Sequence, residues 1–264
     1  MHQTLNPKQT PIPSSIQKLL RAKRLHEELE GLYYTYLQSK PYDLVATADP
    51  SVPGYRVTTN HTPPPMEMAL IFGDFVHNLR SALDHHARAL VIDGGGIPND
   101  GPGGTMFPAA ETKPPKPLAL KAKSGGALPS DLSLIESVQP YSSITPKQHP
   151  LSRLSLLDNI DKHRHINVIA MAGSANVAFF PADQQDIVLS EETPKYLVSS
   201  GASDDQIVRV AEPLIDGPVV ARGMHVSHLV LDEPSVYPTP TNIMQVCGEL
   251  HDYVAPKVFG LWFS

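Results

Sequence analysis

The run Gly73–Leu90, GDFVHNLRSALDHHARAL, decides how this chain is read. It is placed on a helical wheel at about 100° per residue. Asp74, His77, Asn78, Ser81, Asp84, His85 and Arg88 then fall in one arc of about 120°. Ile71, Phe75, Val76, Leu79, Ala82, Leu83, Ala89 and Leu90 take the opposite side, with His86 among them and Arg80 on the border. A plain solvated face would be filled with Lys, Glu and Gln, which favour helix and hydrate easily. Short carboxylates and imidazoles instead titrate, ligate or position other groups, so the run reads as a site. The competing interpretation is a solvated face with i, i+4 pairing, such as Arg80 with Asp84.

A second helical pattern follows at 151–165, LSRLSLLDNIDKHRH. Here Asp158, Asp161 and His165 share an arc with Leu151 and Leu154, while Ser152, Ser155, Asn159, Lys162 and His163 form the wet side. A buried carboxylate without a partner costs several kcal/mol, so this arc demands partners. The His and Arg residues of 73–90 are the obvious ones. The expectation is one partly buried polar cleft in which His77, Arg80, Asp84 and His85 face Asp158, Asp161 and His165. A purely structural ion-pair network is the alternative.

Working outward, the 264 residues suffice for one large domain or two small ones, with an ordinary 41% hydrophobic content. The single cysteine, Cys247, excludes an internal disulfide and any multi-cysteine metal site, and fits a reducing cytoplasm. The first ten residues lack the apolar core of a signal peptide, and no run reaches the about 18 apolar residues of a membrane span. A cytoplasmic protein without a membrane partner is expected. The net charge of −6 is uneven: residues 1–170 sum to +2 and 171–264 to −8. That balance excludes a general nucleic-acid binder, so a polyanion would have to meet a local patch.

Around the two helices, Pro13 and Ser14-Ser15 introduce a helix to about Gln38 whose Arg21, Lys23 and Arg24 read as solvated. Residues 42–62 read as a β-hairpin turning near Pro53-Gly54. Pro63-Pro64-Pro65 then starts the central helix, 66–91. The Gly/Pro-rich stretch 93–128 is a functional lid or a mobile insertion, anchored at Met106-Phe107-Pro108. It lacks the Gly-Lys-Ser/Thr ending of a phosphate loop. A short helix at 130–139 would be capped by Ser130 or Ser133, with Glu136 completing a capping box. A helix at 150–163 follows, then strands at 166–172, 176–180, 206–211 and 219–231, and an amphipathic helix from about Thr241. The fold expected is α+β. It has a helical domain at 1–165 and a β-rich 166–264 with a closing helix, the two as separate domains or one continuous domain.

His77-Asn-Leu-Arg-Ser-Ala-Leu-Asp-His85, Gln139-Pro-Tyr141 and Asp161-Lys-His-Arg164 resemble a family of uncharacterised bacterial proteins, commonest in actinobacteria, which carries no established activity. Arg80-Ser81 with His85, and His86 also in range, is similar to the motif of HEPN domains, all-helical modules of RNA-cutting toxins and antiviral defence proteins. That motif is an Arg, usually a polar residue such as Asn, and a His four to six residues after the Arg. The resemblance implies HEPN-like core helices and a metal-independent ribonuclease, its site completed across a homodimer.

Three functions follow. In the first, a ribonuclease without cofactor, His85 is the base and Arg80 offsets the phosphorane charge. His77 and Asp84 stand beside them, and Lys162–Arg164 hold the RNA backbone. In the second, a hydrolase or oxidase holds a divalent Zn, Mn or Fe. The Asp74/His77 and Asp161/His165 pairs have ligand spacing, and Asp84, His85 and Asp158 can complete the shell. In the third, a non-enzymatic binding or scaffold protein, the polar helix pair locks the fold.

Overall fold

The computed structural model describes residues 13–39, 41–49, 54–181, 196–198, 205–209 and 219–263. Its fold is α+β. Pro63-Pro64-Pro65 ends the extended segment before it, and helix α2, Met66–Asp93, begins directly after. Its buried side carries Phe72, Phe75, Val76, Leu79, Leu83 and Leu90, the heptad-like spacing that the wheel anticipates. Arg80 and His86 are buried on that side too.

The chain divides into two units. The first takes residues up to Glu30, Glu67–Asn167 and Glu233 onward. It holds most of helix α1 (Ser14–Gln38), α2, α3 (Pro129–Ser137), α4 (Pro150–His163) and α5 (Ile243–Asp252). Its core is Leu25, Leu29, Phe75, Leu79, Ile135, Leu151, Leu154, Val246 and Leu250, each at most 1% exposed. Beyond α5 the helix widens to a π turn over Tyr253–Phe259, which accommodates Pro256, a residue with no N–H for an α-helical bond.

The second unit takes Gly31–Met66 and Val168–Asp232. Its strands are β1 (Tyr42–Asp49), β2 (Gly54–His61), β5 (Val168–Pro181), β6 (Tyr196–Val198), β7 (Asp205–Arg209) and β8 (Val219–Leu231). All pair antiparallel, in the order β6-β5-β8-β1-β2-β7. This division differs from a cut at 165/166. The hairpin β1–β2 pairs with β8 and β7 and so belongs with the late strands, whereas the closing helix belongs with the helical unit. The strands expected at 166–172 and 176–180 are one strand, β5. Gly173-Ser174 falls at a register shift against β8, so it makes a bulge rather than a break. Strand β6 was not anticipated. The expected turn at Pro53-Gly54 falls largely outside the described residues.

The Gly/Pro stretch is built into the helical unit. It forms a small hairpin of β3 (Ile97–Pro98) and β4 (Ala122–Ser124), and it buries Phe107, Leu118 and Leu120. A Cβ at Gly96 would stand 2.7 Å from the Gly126 amide nitrogen, so the glycines let two backbone segments touch. The capping box expected for α3 does not form. Leu128 precedes Pro129 at the first helical position, no side chain caps it, and the Ser133 hydroxyl donates to the Pro129 carbonyl. Among the described residues no helix is long and apolar enough to cross a membrane.

Candidate functional site

Helices α2 and α4 meet antiparallel, and three contacts mark the line. Asp161 packs over Gly73, where a Cβ would come within 2.1 Å of its Oδ1. Asp158 meets His77, Oδ1 to Nδ1 at 3.1 Å. Arg80 donates to the Ser155 hydroxyl at 3.4 Å. As one number falls the other rises, by about one turn at each step.

Asp158 is buried, with 5% of its side chain exposed, and His77 is 47% exposed. The second oxygen of Asp158 accepts from Lys162 at 2.5 Å. A carboxylate at Nδ1 places the imidazole proton there and leaves Nε2 as the acceptor. Nε2 stands 3.2 Å from the Ser81 hydroxyl, which donates to it. Asp158, His77 and Ser81 thus form a relay with a buried carboxylate at one end and a solvent-reachable hydroxyl at the other. Asn78 beside them accepts from Lys18 at 3.3 Å.

Asp161 carries a carboxyl with its pKa raised. Burial is the main cause, reinforced by the negative charges of Asp74 and Asp158, while His77 and His165 pull the other way. A carboxylic acid that holds its proton more readily than usual therefore stands within electrostatic reach of His77.

Arg80 and Asp84 make a different device. The Arg80 Nη2 donates to Asp84 Oδ1 and to the Phe107 carbonyl, both at 2.6 Å. The same Asp84 oxygen accepts from the Phe107 amide at 2.9 Å. Both backbone groups of Phe107 are thereby clamped. Gln139, also buried, holds the next residues: its amide donates to the Pro108 carbonyl and its oxygen accepts from the Ala110 amide, each at 3.0 Å. The Gln-Pro-Tyr motif is thus a fastener for the Gly/Pro stretch.

The clamped segment walls a cavity of about 460 Å³, whose other side is Arg80, Ser155, Asp158, Asn159 and Lys162. The cavity floor and the His77 relay share one residue, Asp158.

Several sequence-level placements are corrected. His85 is half-buried and, among the described residues, no hydrogen bond or ion pair joins it to α4. It sits about 12 Å along α2 from His77. His165 is exposed and lies beyond α4, which ends at His163, so it is not part of the buried stripe. Ser152, placed on the wet side, is buried. Lys162 and Arg164, offered as a grip on RNA, are committed to Asp158 and to Glu233. For the metal interpretation, Asp74, His77, Asp158, Asp161 and His165 are near in charge but do not converge. Among the described residues no three His, Cys, Asp or Glu side chains are arranged to hold an ion. One carboxylate escaped the sequence entirely. Glu233, 2% exposed, accepts from both Arg164 terminal nitrogens at 2.8 and 2.6 Å and from the Asn167 amide at 2.8 Å. Its sequence context, Asp232-Glu233-Pro234, reads as an exposed turn and carries no signal of burial.

No protein-family model, no curated protein and no solved structure matches this chain. What characterises it is an α+β fold in which the carboxylate that orients His77 also lines a partly cationic cavity.

Proposed function

We propose that this chain is a metal-independent ribonuclease in which His77, rather than His85, is the general base. The observation that carries this reading is the buried Asp158 holding His77 by Nδ1, which makes Nε2 the accepting nitrogen, met in the resting site by the Ser81 hydroxyl. In the step envisaged, Nε2 takes the proton of a ribose 2′-hydroxyl and O2′ attacks the adjacent phosphorus. The P–O5′ bond breaks as the leaving oxygen takes a proton from a water molecule. Products are a 2′,3′-cyclic phosphate and a 5′-hydroxyl, and the hydroxide left behind recovers the proton held on His77. Lys162 and Arg80 line the same cavity, each paired with a carboxylate, and offer hydrogen-bond donors rather than net charge to the developing phosphorane. Arg80 and Asp84 act mainly by holding the wall at Phe107.

The test is cleavage of a single-stranded RNA in EDTA, with the product ends identified. Cyclic-phosphate products, lost in His77→Ala and kept in His85→Ala, are expected. Cleavage unaffected by His77→Ala would overturn the assignment.

A second reading has one observation of its own, the Ser81 hydroxyl on His77 Nε2. It makes Ser81 the nucleophile of an acyl transfer. Ser81 lies mid-helix, where its backbone amides are used within α2 and offer no oxyanion site. Labelling of Ser81 by a fluorophosphonate would favour this reading over the first.

A further inference from the structure

The geometry points to the cavity beside Asp158 as a subsite for one nucleotide of the substrate strand, its phosphate at Lys121 and its base against Met106 and Pro108. This inference rests on the ribonuclease reading and names what that site would hold.

Volume comes first. About 460 Å³ lies within the range of small-molecule sites, about 300–1,000 Å³, and suits a single nucleoside phosphate. The walls differ in kind. Met106, Phe107 and Pro108 make one side apolar, and Met106 remains 48% exposed, a polarizable surface open to a planar ring. Ser155 and Asn159, one turn apart on α4, make the facing side one of hydroxyl and amide. An apolar slot opposite hydrogen-bonding groups is the pattern that takes a base by its face and its edge.

Charge then fixes the orientation. Three cations line the cavity: Arg80, Lys121 and Lys162. Arg80 is matched by Asp84 and Lys162 by Asp158. Lys121 pairs with no carboxylate among the described residues, so it brings unbalanced positive charge. Its place is built, not incidental. The Thr105 hydroxyl donates to the Lys121 carbonyl. Thr105 in turn is locked to Asn99 by two bonds of 2.8 Å, amide to carbonyl and hydroxyl from amide. The ammonium lies over Gly103, 3.3 Å from where a Cβ would be, and the φ of +62° there favours glycine on its own account. Asp158 links the two parts, lining the cavity with one face and orienting His77 with the other.

The experiment is calorimetric titration of the full chain with adenosine 3′-monophosphate, uridine 3′-monophosphate and inorganic phosphate. It is repeated on Lys121→Glu, Met106→Ala and His77→Ala, each checked for a wild-type melt. Nucleotide binding is expected, weakened at least about tenfold by Lys121→Glu and by a smaller factor in Met106→Ala. His77→Ala should bind as wild type while losing RNA cleavage. If nucleotide binds in this pattern but RNA is not cut, the subsite stands and the ribonuclease reading falls. If RNA is cut but no nucleotide binds, or binding ignores both cavity substitutions, the subsite is overturned. Phosphate binding as tightly as the nucleotides overturns the base slot and so the proposal.

Discussion

Asp158→Asn separates what this carboxylate does for the fold from what it does for His77. The Lys162 contact is an i, i+4 pair with an ammonium 52% exposed, worth about 0.3–0.5 kcal/mol. The His77 contact is a hydrogen bond to a buried charged acceptor, worth about 1.5–3 kcal/mol when nothing replaces it. Water can reach the half-exposed imidazole, and the Asn carbonyl retains an acceptor, so the net loss falls to about 1–2 kcal/mol. For a chain of this size that lowers the melting temperature by about 2–8 °C. Activity should respond far more. A neutral amide does not stabilise an imidazolium, and its NH₂ can turn to Nδ1 and move the ring proton to Nε2, where it blocks proton acceptance. Loss of an orienting carboxylate costs up to about 10⁴ in rate. The expected result is a folded protein, melting a few degrees lower, whose cleavage of RNA in EDTA falls by about 10²–10⁴. A folded Asp158→Asn that cleaves at the wild-type rate would refute the relay, because the buried charge would then have no part in proton transfer.

Arg80→Ala, which a purely catalytic role would leave well folded, should lower stability by about 2–4 kcal/mol, because it strands Asp84 and the Phe107 carbonyl. An unchanged urea midpoint would show that the clamp carries no weight. Asp161→Asn should raise stability at neutral pH, reversing the expectation that Asp161 holds buried cations. The raised carboxyl pKa means that folding disfavours its ionised form. The gain should vanish as pH falls below the ordinary value of 3.8, and melts showing a gain that persists there would contradict it. His86 lies against Phe259 and Trp262, with ring centroids 4.9 and 4.6 Å away, and burial holds its pKa down at about 4. Its contribution is full above the ordinary 6.5 and is lost as pH falls through about 4, about 3 kcal/mol in all. His86→Phe should flatten the stability profile across that window, and equal slopes in the two proteins would overturn the assignment.

The helices were legible because their apolar residues recur at helical spacing over long runs: Ile71, Phe75, Leu79 and Leu83 need no partner to declare a face. Pairing was not. That β1 joins β8 across more than 150 residues follows from tertiary contacts that strand alternation does not encode. Gly173-Ser174 looked like a break because a turn and a bulge favour the same residues. Phe107 as the loop's anchor was readable as a large apolar residue in a Gly/Pro stretch. Its clamp was not, since Arg80 and Asp84 also fit an ordinary surface pair.

The site itself turned on one residue whose message the wheel does not weigh. A wheel says which side chains share a face of α2, and it gives His77 and His85 equal standing. Which of them meets α4 depends on where the helices come closest, and Gly73 marks that point. A glycine inside a helix costs about 1 kcal/mol relative to alanine, so it stays where a side chain would collide. Here it would collide with Asp161. Once α4 is seated there antiparallel, Asp158 one turn back on α4 reaches His77 one turn on along α2. Ser155 a further turn back reaches Arg80. His85 lies about 18 Å along the axis from Gly73, level with the start of α4 and beyond both aspartates. The proton-transfer role proposed above therefore follows the glycine to His77, and a sequence interpretation that treats an isolated helix glycine as a contact marker would have chosen between the two histidines.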